Sequence, residues 1–343
     1  AAPWLAKSDE ELWSMVPGQE LPRCIDVTWD YDHPERPRLG CLKCGDDIYK
    51  HGGYPYEPDF EKKPWKLTCP NCNVVFPTND FAKYYASGIN QQGLFDPKKA
   101  DRNLLFNAEH PDPTDPLHKY GVDDGYGYVA PADDGTGKMV DRQYKYIAYY
   151  AWKYWRHIIG GVQALANAYM YTGDKAYAHK AAILLDRIAD AYPAMDWKPY
   201  ADMGWYHSDG SSKKGKIEGR IWETQQIQNL ALSYDKIISG TVDTPELYEF
   251  LAGKARQFDL PGTKGTRSDL VNNIDTGLLT AAADSMISGQ VSGNEGMHQH
   301  SMACCALALN TEPKTSRWLD WVFAENGGHL PRMLMQMFDR DGM

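Results

Sequence analysis

Between Asn294 and His300 the chain reads NEGMHQH: an amide, a carboxylate and two imidazoles within seven residues. It then turns apolar as SMACCALALN. The pattern predicts a helix over about 296–309 with its polar residues at the start. A helix start offers unpaired N–H groups and the positive end of a dipole, both suited to a carboxylate. Asn294 adds an amide donor without adding a competing charge. His298 follows one turn later on the same face, as a candidate base or second donor. Gln299 and His300 are polar neighbours. The structural alternative is plain. Asparagine is a good N-cap, and His298, Met302, Cys305 and Leu309 recur on one helix face. Glu295 reads best as a first-turn carboxylate favoured by the dipole.

A second constellation is CLKC (Cys41, Cys44) with CPNC (Cys69, Cys72), which together read C-x2-C-x24-C-x2-C. Two such knuckles can place four thiolates tetrahedrally around Zn²⁺. Four protein ligands leave no open position, so the site would be structural. His51, in the intervening stretch, is a weaker alternative ligand. A pair of disulfides is the rival where the compartment is oxidising. Cys24, Cys304 and Cys305 read as buried thiols.

Three zones must position these groups. Residues 1–38 carry a short helix, SDEELWSMV, capped by Ser8 or Asp9, and then Pro-rich coil. Residues 39–78 form a zinc-ribbon-like module. Residues 79–343 form the main domain. That domain opens with a loop-rich stretch, to about residue 140, that includes HPDPTDPLHKYGVDDGYGYVAPADDGTG. A loop that long is usually functional or disordered. From Tyr144 onward apolar residues recur at helical steps. Ile158, Val162, Leu165 and Tyr169 mark one buried face, and Tyr177, Ala181, Leu184, Ile188 and Ala191 the next. Gly173 and Asp174 supply the stop and restart between them; Pro193 ends the second. Further helices are predicted over about 221–238, 245–258, 268–288, 296–309 and 314–324. The fold class expected is all-α, an incomplete (α/α) toroid of antiparallel helix pairs with the ribbon inserted near the N-terminus.

The formal charge of −10 disfavours a nucleic-acid partner, and no apolar run reaches membrane-spanning length. The 22 Tyr and 11 Trp suit either sugar stacking or an aromatic core. The start AAPWLAKSDEE fits a mature protein after signal-peptide removal. This gives a secreted or periplasmic expectation.

Five stretches together resemble the heparinase II/III-like polysaccharide lyases of the alginate and glycosaminoglycan type. They are CPNCNVVFPTNDFAKYYASG, HPDPTDPLHKYGVDDGYGY, LANAYMYTGDKAYAHKAAILLDRIADAYP, GKIEGRIWETQQIQNLALSYDKI and SGNEGMHQHSMACCALAL, spanning roughly 60–310. The resemblance implies a toroid and β-elimination on a uronate-containing acidic polysaccharide, leaving an unsaturated uronate end. Family members continue into a β-sandwich and toward a catalytic Tyr, so that part is expected to be missing from this chain. In that setting Asn294 would hold the uronate carboxylate and His298 would act beside it. Substrate contacts would come from Gln299 and from Arg220, at the end of the run Lys213, Lys214, Lys216. Tyr126 and Tyr128 of GYGY, and Trp152, Arg156 and His157 of YYAWKYWRH, would add more. Trp155 is expected in the core. Two other functions fit the same chain. A glycoside hydrolase would need a carboxylate pair from Asp123, Asp124, Glu223 and Glu295. A non-catalytic glycan-binding protein would need none.

Overall fold

The computed structural model describes residues 1–206 and 213–337, with the backbone alone at Arg220. About half of the chain is helical and its strands are few and short. In order come α1 (Ala2–Leu5), α2 (Asp9–Met15), β1 (Leu67–Thr68), β2 (Val75–Phe76), α3 (Phe81–Ser87), β3 (Tyr128–Asp133) and β4 (Met139–Tyr144). Then follow α4 (Tyr146–Thr172), α5 (Lys175–Ala191), α6 (Lys198–Asp202), α7 (Arg220–Ile237), α8 (Pro245–Gln257) and α9 (Arg267–Ile274). A π-helical turn, Asp275–Thr280, leads into α10 (Ala281–Ile287). The last helices are α11 (Met297–Leu309), α12 (Lys314–Phe323) and α13 (His329–Met337). Between Tyr144 and Phe323 the described residues hold helices, turns and isolated bridges but no further strand. No helix among the described residues is long and apolar enough to cross a membrane.

Contacts divide the chain into two compact units. A helical unit comprises Ala1–Val16, Arg156–Met195 and the chain from Lys214 onward. A cysteine unit comprises Pro17–Trp155 and Asp196–Lys213.

In the helical unit the ends of elements follow local chemistry. Ser8 caps α2 with a reciprocal box: Glu11 N–H donates to Ser8 Oγ at 3.2 Å and Ser8 N–H to Glu11 Oε2 at 2.7 Å. Gly173 takes φ 71°, and Asp174 then caps α5 by accepting from Ala176 N–H at 3.0 Å. α5 packs against α1, α2, α7, α8 and α9, and α11 packs against α7 and α12. Alanines at 178, 181, 182, 189 and 191 let neighbours approach α5 closely, while Ile183, Leu184, Leu185 and Ile188 fill the core. Burial of each of these large side chains contributes about 1.5–3 kcal/mol. At the closest approach a Cβ on Gly277 would lie 2.3 Å from the Ala189 carbonyl oxygen, so only glycine fits.

Asp9 pins α2 to α5. Its carboxylate meets His179 Nε2 at 2.8 Å and Lys180 Nζ at 2.7 Å. Burial opposes the charge, but the hydrogen bonds from His179 and then Lys180 outweigh it and hold the carboxyl at about 2. The folded value lies below the unfolded one of about 3.9, so the stabilisation is present above pH 4. It is lost as pH falls from there toward 2. Asp9→Asn is expected to cost about 2 kcal/mol at pH 7. Denaturant titrations should show the wild-type advantage shrinking steadily below pH 4. A difference independent of pH would mean the pair carries no charge coupling.

The cysteine unit holds two antiparallel hairpins. β1 pairs with β2, Leu67 opposite Phe76, and β3 pairs with β4 from Tyr128↔Tyr144 to Asp133↔Met139. Its core is aromatic: Phe76, Tyr146, Tyr149, Trp152, Trp197 and Trp205 are all buried. Across both units Trp4, Trp13, Trp152, Trp155, Trp197, Trp205 and Trp318 are buried. Most of the tryptophans are therefore core material. Asp123 organises the loop before β3. Its Oδ1 accepts from Gly125 and Gly127 N–H at 2.7 and 2.9 Å, and its Oδ2 from Ile147 N–H at 3.0 Å.

Candidate functional site

The clearest site is the four-cysteine centre of the cysteine unit. The CPNC turn sits between β1 and β2, where Cys69 N–H donates to Val74 O and Asn73 N–H to Cys69 O, both at 2.9 Å. Asn73 adopts φ 59°, a left-handed turn conformation that Asn tolerates. The CLKC turn closes in the same manner. Cys41 N–H donates to Gly45 O at 2.9 Å and Gly45 N–H to Cys41 O at 2.8 Å. Gly45 takes φ 59° and Lys43 N–H points at Cys41 Sγ from 3.4 Å. The four sulfurs of Cys41, Cys44, Cys69 and Cys72 all lie within 4.8 Å of one another. Cys41 and Cys72 are 3.8 Å apart, and Cys44 and Cys69 3.7 Å. A disulfide needs about 2.05 Å. A tetrahedron with metal–sulfur bonds of about 2.3 Å has edges of about 3.8 Å. The spacing and the donor set thus fit a bound metal ion. His51 is exposed and outside the cluster. Cys24, Cys304 and Cys305 are buried thiols.

The predicted sugar-contact residues of this unit take different roles. Trp152 is 3% exposed and packs on Tyr54 and Tyr149, so the core takes its ring. Tyr126 and Tyr128 are half-buried. Tyr126 lies against Trp205, and Tyr128 meets Tyr120 edge-on at 5.9 Å.

In the helical unit the starts of α7 and α11 lie side by side. Ser301 Oγ donates to Thr224 O at 2.7 Å, and a Cβ on Gly293 would sit 3.0 Å from Thr224 Oγ1. Asn294 is exposed in the turn ahead of α11, and its carbonyl accepts from Met297 N–H at 3.0 Å. The N-cap is Gly296, so the Asn294 amide is not the cap. Gln299 performs the reciprocal half instead. Its Oε1 accepts from Gly296 N–H at 2.8 Å and its Nε2 donates to Glu295 at 3.0 Å. With both ends of its amide used and 2% exposed, Gln299 is a capping residue rather than a substrate contact. His300 is exposed.

His298 is 9% exposed and shares the buried face with Met302, Cys305 and Leu309. Gly293 N–H faces its Nδ1 at 3.5 Å. Its ring centroid lies 6.2 Å from Trp321 and 6.1 Å from His329, and these two stack at 3.9 Å. Burial, and then Arg332, push His329 below its ordinary value, so its ring is a neutral acceptor at pH 7. His329 and Trp321 carried no local signal. They meet His298 only through the packing of α12 and the start of α13.

Arg156 pairs with the buried Glu218 at 3.3 Å, and His157 lies against Trp4 with ring centroids 4.7 Å apart. Arg220 begins α7, and its side chain lies outside the described residues. Within the lysine run, Lys213 and Lys216 each have partners of their own. Lys213 pairs with Asp202 at 2.9 Å in the cysteine unit. Lys216 is buried, donating to Pro193 O at 3.1 Å and lying over the Tyr192 ring.

Carboxylates that a hydrolase would use are committed elsewhere. Asp123 is fully buried, and burial pushes its carboxyl up to about 6 against the pull of three backbone N–H groups. Glu223 is also fully buried. Its Oε2 accepts from Lys216 and Glu218 N–H, and its Oε1 from Tyr192 Oη. Asp124 pairs with Arg102 at 3.2 Å.

The chain matches no protein-family model, no curated protein and no solved structure. Its class rests on what the structure defines: a mostly helical chain carrying a four-cysteine centre.

Proposed function

We propose that this chain is a polysaccharide lyase of the heparinase II/III-like type, acting on a uronate-containing acidic polysaccharide by β-elimination. The observation that carries the reading is the exposed Asn294 just ahead of α11, whose start lies beside that of α7, with His298 in the first turn and the His329 ring 6.1 Å from that of His298. The C5 proton of a uronate is weakly acidic while its carboxylate stays charged. Donors on that carboxylate stabilise the enolate-like intermediate, each worth about 3–4 kcal/mol by analogy with an oxyanion hole. Asn294 is such a donor, and His298 lies one helical turn on from it. His329, neutral beside them, takes the C5 proton. The released electron pair forms the C4–C5 double bond, and the C4–O4 bond breaks. His329, now protonated, returns the proton to the leaving O4.

Helix α7 pairs with α11, and α5 with α7 and α9, the kind of neighbouring that an incomplete (α/α) toroid of antiparallel pairs requires. We read the four-cysteine centre as a structural Zn²⁺ site, since four thiolates and borderline-soft Zn²⁺ match. A polymeric acidic substrate points to a secreted or periplasmic protein. The burial of Asp123 and Glu223 weighs against a hydrolase.

Incubation with a panel of uronate polymers, read by ultraviolet absorbance, tests the reading. The C4–C5 double bond conjugated to the carboxylate absorbs, and a hydrolysis product does not. Absorbance should rise with at least one polymer. A flat trace across the panel, with chain cleavage detected by reducing ends, would replace the lyase reading by the hydrolase one.

A further inference from the structure

A cleft of about 660 Å³ opens in the cysteine unit beside the β1–β2 hairpin, within the size range of saccharide and cofactor sites. Lys66, Asn73, Glu109, His110, Leu117 and Tyr120 line it. One wall is the Pro-rich loop 106–120, which its own side chains hold in shape. Asn107 Nδ2 donates to Leu117 O at 3.2 Å and Asn107 Oδ1 accepts from Glu109 N–H at 3.1 Å. His118 Nδ1 donates to His110 O at 2.9 Å, and its ring stacks on Phe106. Such a compact, self-packed surface loop is a common carrier of function.

His110 is the best-prepared group in the cleft. Its Nδ1–H donates to Asp115 Oδ2 at 2.8 Å, while Asp115 Oδ1 accepts from Leu117 N–H at 2.8 Å. The carboxylate is thereby fixed from both sides, and it fixes the tautomer and plane of the imidazole. Nε2 is left for a ligand, and the side chain is 32% exposed. Lys66 Nζ donates to Pro77 O at 2.6 Å and Asn79 O at 2.8 Å. An ammonium has three donors, so one remains. Tyr120 is half-buried, braced by Phe76 and by Tyr128. Leu117 is 43% exposed at the rim.

We propose that this cleft, lined wholly by residues of the cysteine unit, is a saccharide-binding site, an inference that does not depend on the lyase reading. Donors (Lys66, Asn73), an acceptor carboxylate (Glu109) and a fixed imidazole (His110) surround an aromatic and an aliphatic side chain. That mixture matches a pyranose ring, whose vicinal hydroxyls both donate and accept and whose C–H face packs on a ring. One positive and one negative side chain on the lining suit hydroxyls better than a bare anion.

The test is calorimetric titration of the intact chain with tetrasaccharides, neutral (cello- and chitotetraose) in one arm and uronate-containing in the other. Both are compared with His110→Ala and Glu109→Gln, two partly or fully exposed positions whose variants should melt like wild type. Binding in either arm that weakens about tenfold in His110→Ala and several-fold in Glu109→Gln supports the site. The arm that binds more tightly identifies the ring type. Unchanged affinity in both variants, or no binding in either arm, overturns it. Cleavage by ultraviolet absorbance is read separately. A chain that cleaves normally while the cleft variants bind normally would sink this proposal alone.

Discussion

Cys69→Ser is expected to lower the melting temperature of the chain by roughly 6–12 °C, and metal removal by a strong chelator should do at least as much. The scale follows from two magnitudes. A structural Zn²⁺ site binds with about 10–16 kcal/mol in small zinc peptides, and a whole domain is stable by only about 5–15 kcal/mol. Losing one thiolate of four need forfeit only about 3 kcal/mol to produce that shift in a unit of this size. Cys69 is the position to change because it is fully buried and also closes the turn between β1 and β2 through Cys69 N–H to Val74 O. Metal analysis of protein purified without chelator should give one zinc per chain. Under a tenth of an equivalent, with disulfides among these four residues by mass spectrometry, would remove the metal from the account. Residual activity per folded molecule should change little, because a four-ligand site leaves no coordination position for substrate.

Asn294→Ala is expected to lower kcat and kcat/KM together, by about 10²–10³-fold. The interaction strengthens as negative charge moves onto the carboxylate, so it acts on the transition state more than on the bound substrate. Stability should hardly move, since Gly296 and Gln299 rather than Asn294 satisfy the helix start. His329→Ala should lower kcat by about 10²–10⁴-fold. A base works deprotonated, so the wild-type rate falls as pH drops through its value, and that acidic limb should vanish in the variant. His298→Ala should slow the reaction while keeping the limb. Near-normal rates in all three would return Asn294 to a turn residue and both histidines to packing.

Much of the helical span was legible because its punctuation is local. Asp174 after Gly173, Pro193 after Ala191 and the apolar steps of four and three are signals a single turn can carry. The reading of α7 to α12 misses observed ends by only a residue or so. The cysteine spacing was legible because a knuckle is a local turn. β3 and β4 were not. Their positions are mostly exposed or half-buried, with Pro131 and several charges among them, so no alternation of apolar and polar residues marks them. The π-helical turn at Asp275–Thr280 escaped for another reason. It inserts inside one apolar run and is expressed in packing, at Gly277 against Ala189, rather than in composition. Trp152 and Gln299 show the limit for site residues. A ring or an amide in a polar-looking segment reads alike whether it meets solvent or a neighbour. His329 and His110 show the converse, since each acquires a role only through residues brought to it by the fold.

The central claim is elimination, and the masses of the products test it most directly. A defined uronate oligosaccharide should be cut by the intact chain and both fragments weighed. Elimination adds no atoms, so the two masses should sum to that of the substrate, with the double bond on the fragment that carried the cut uronate. Fragments that sum to the substrate plus one water would mean hydrolysis, and the lyase account would be wrong.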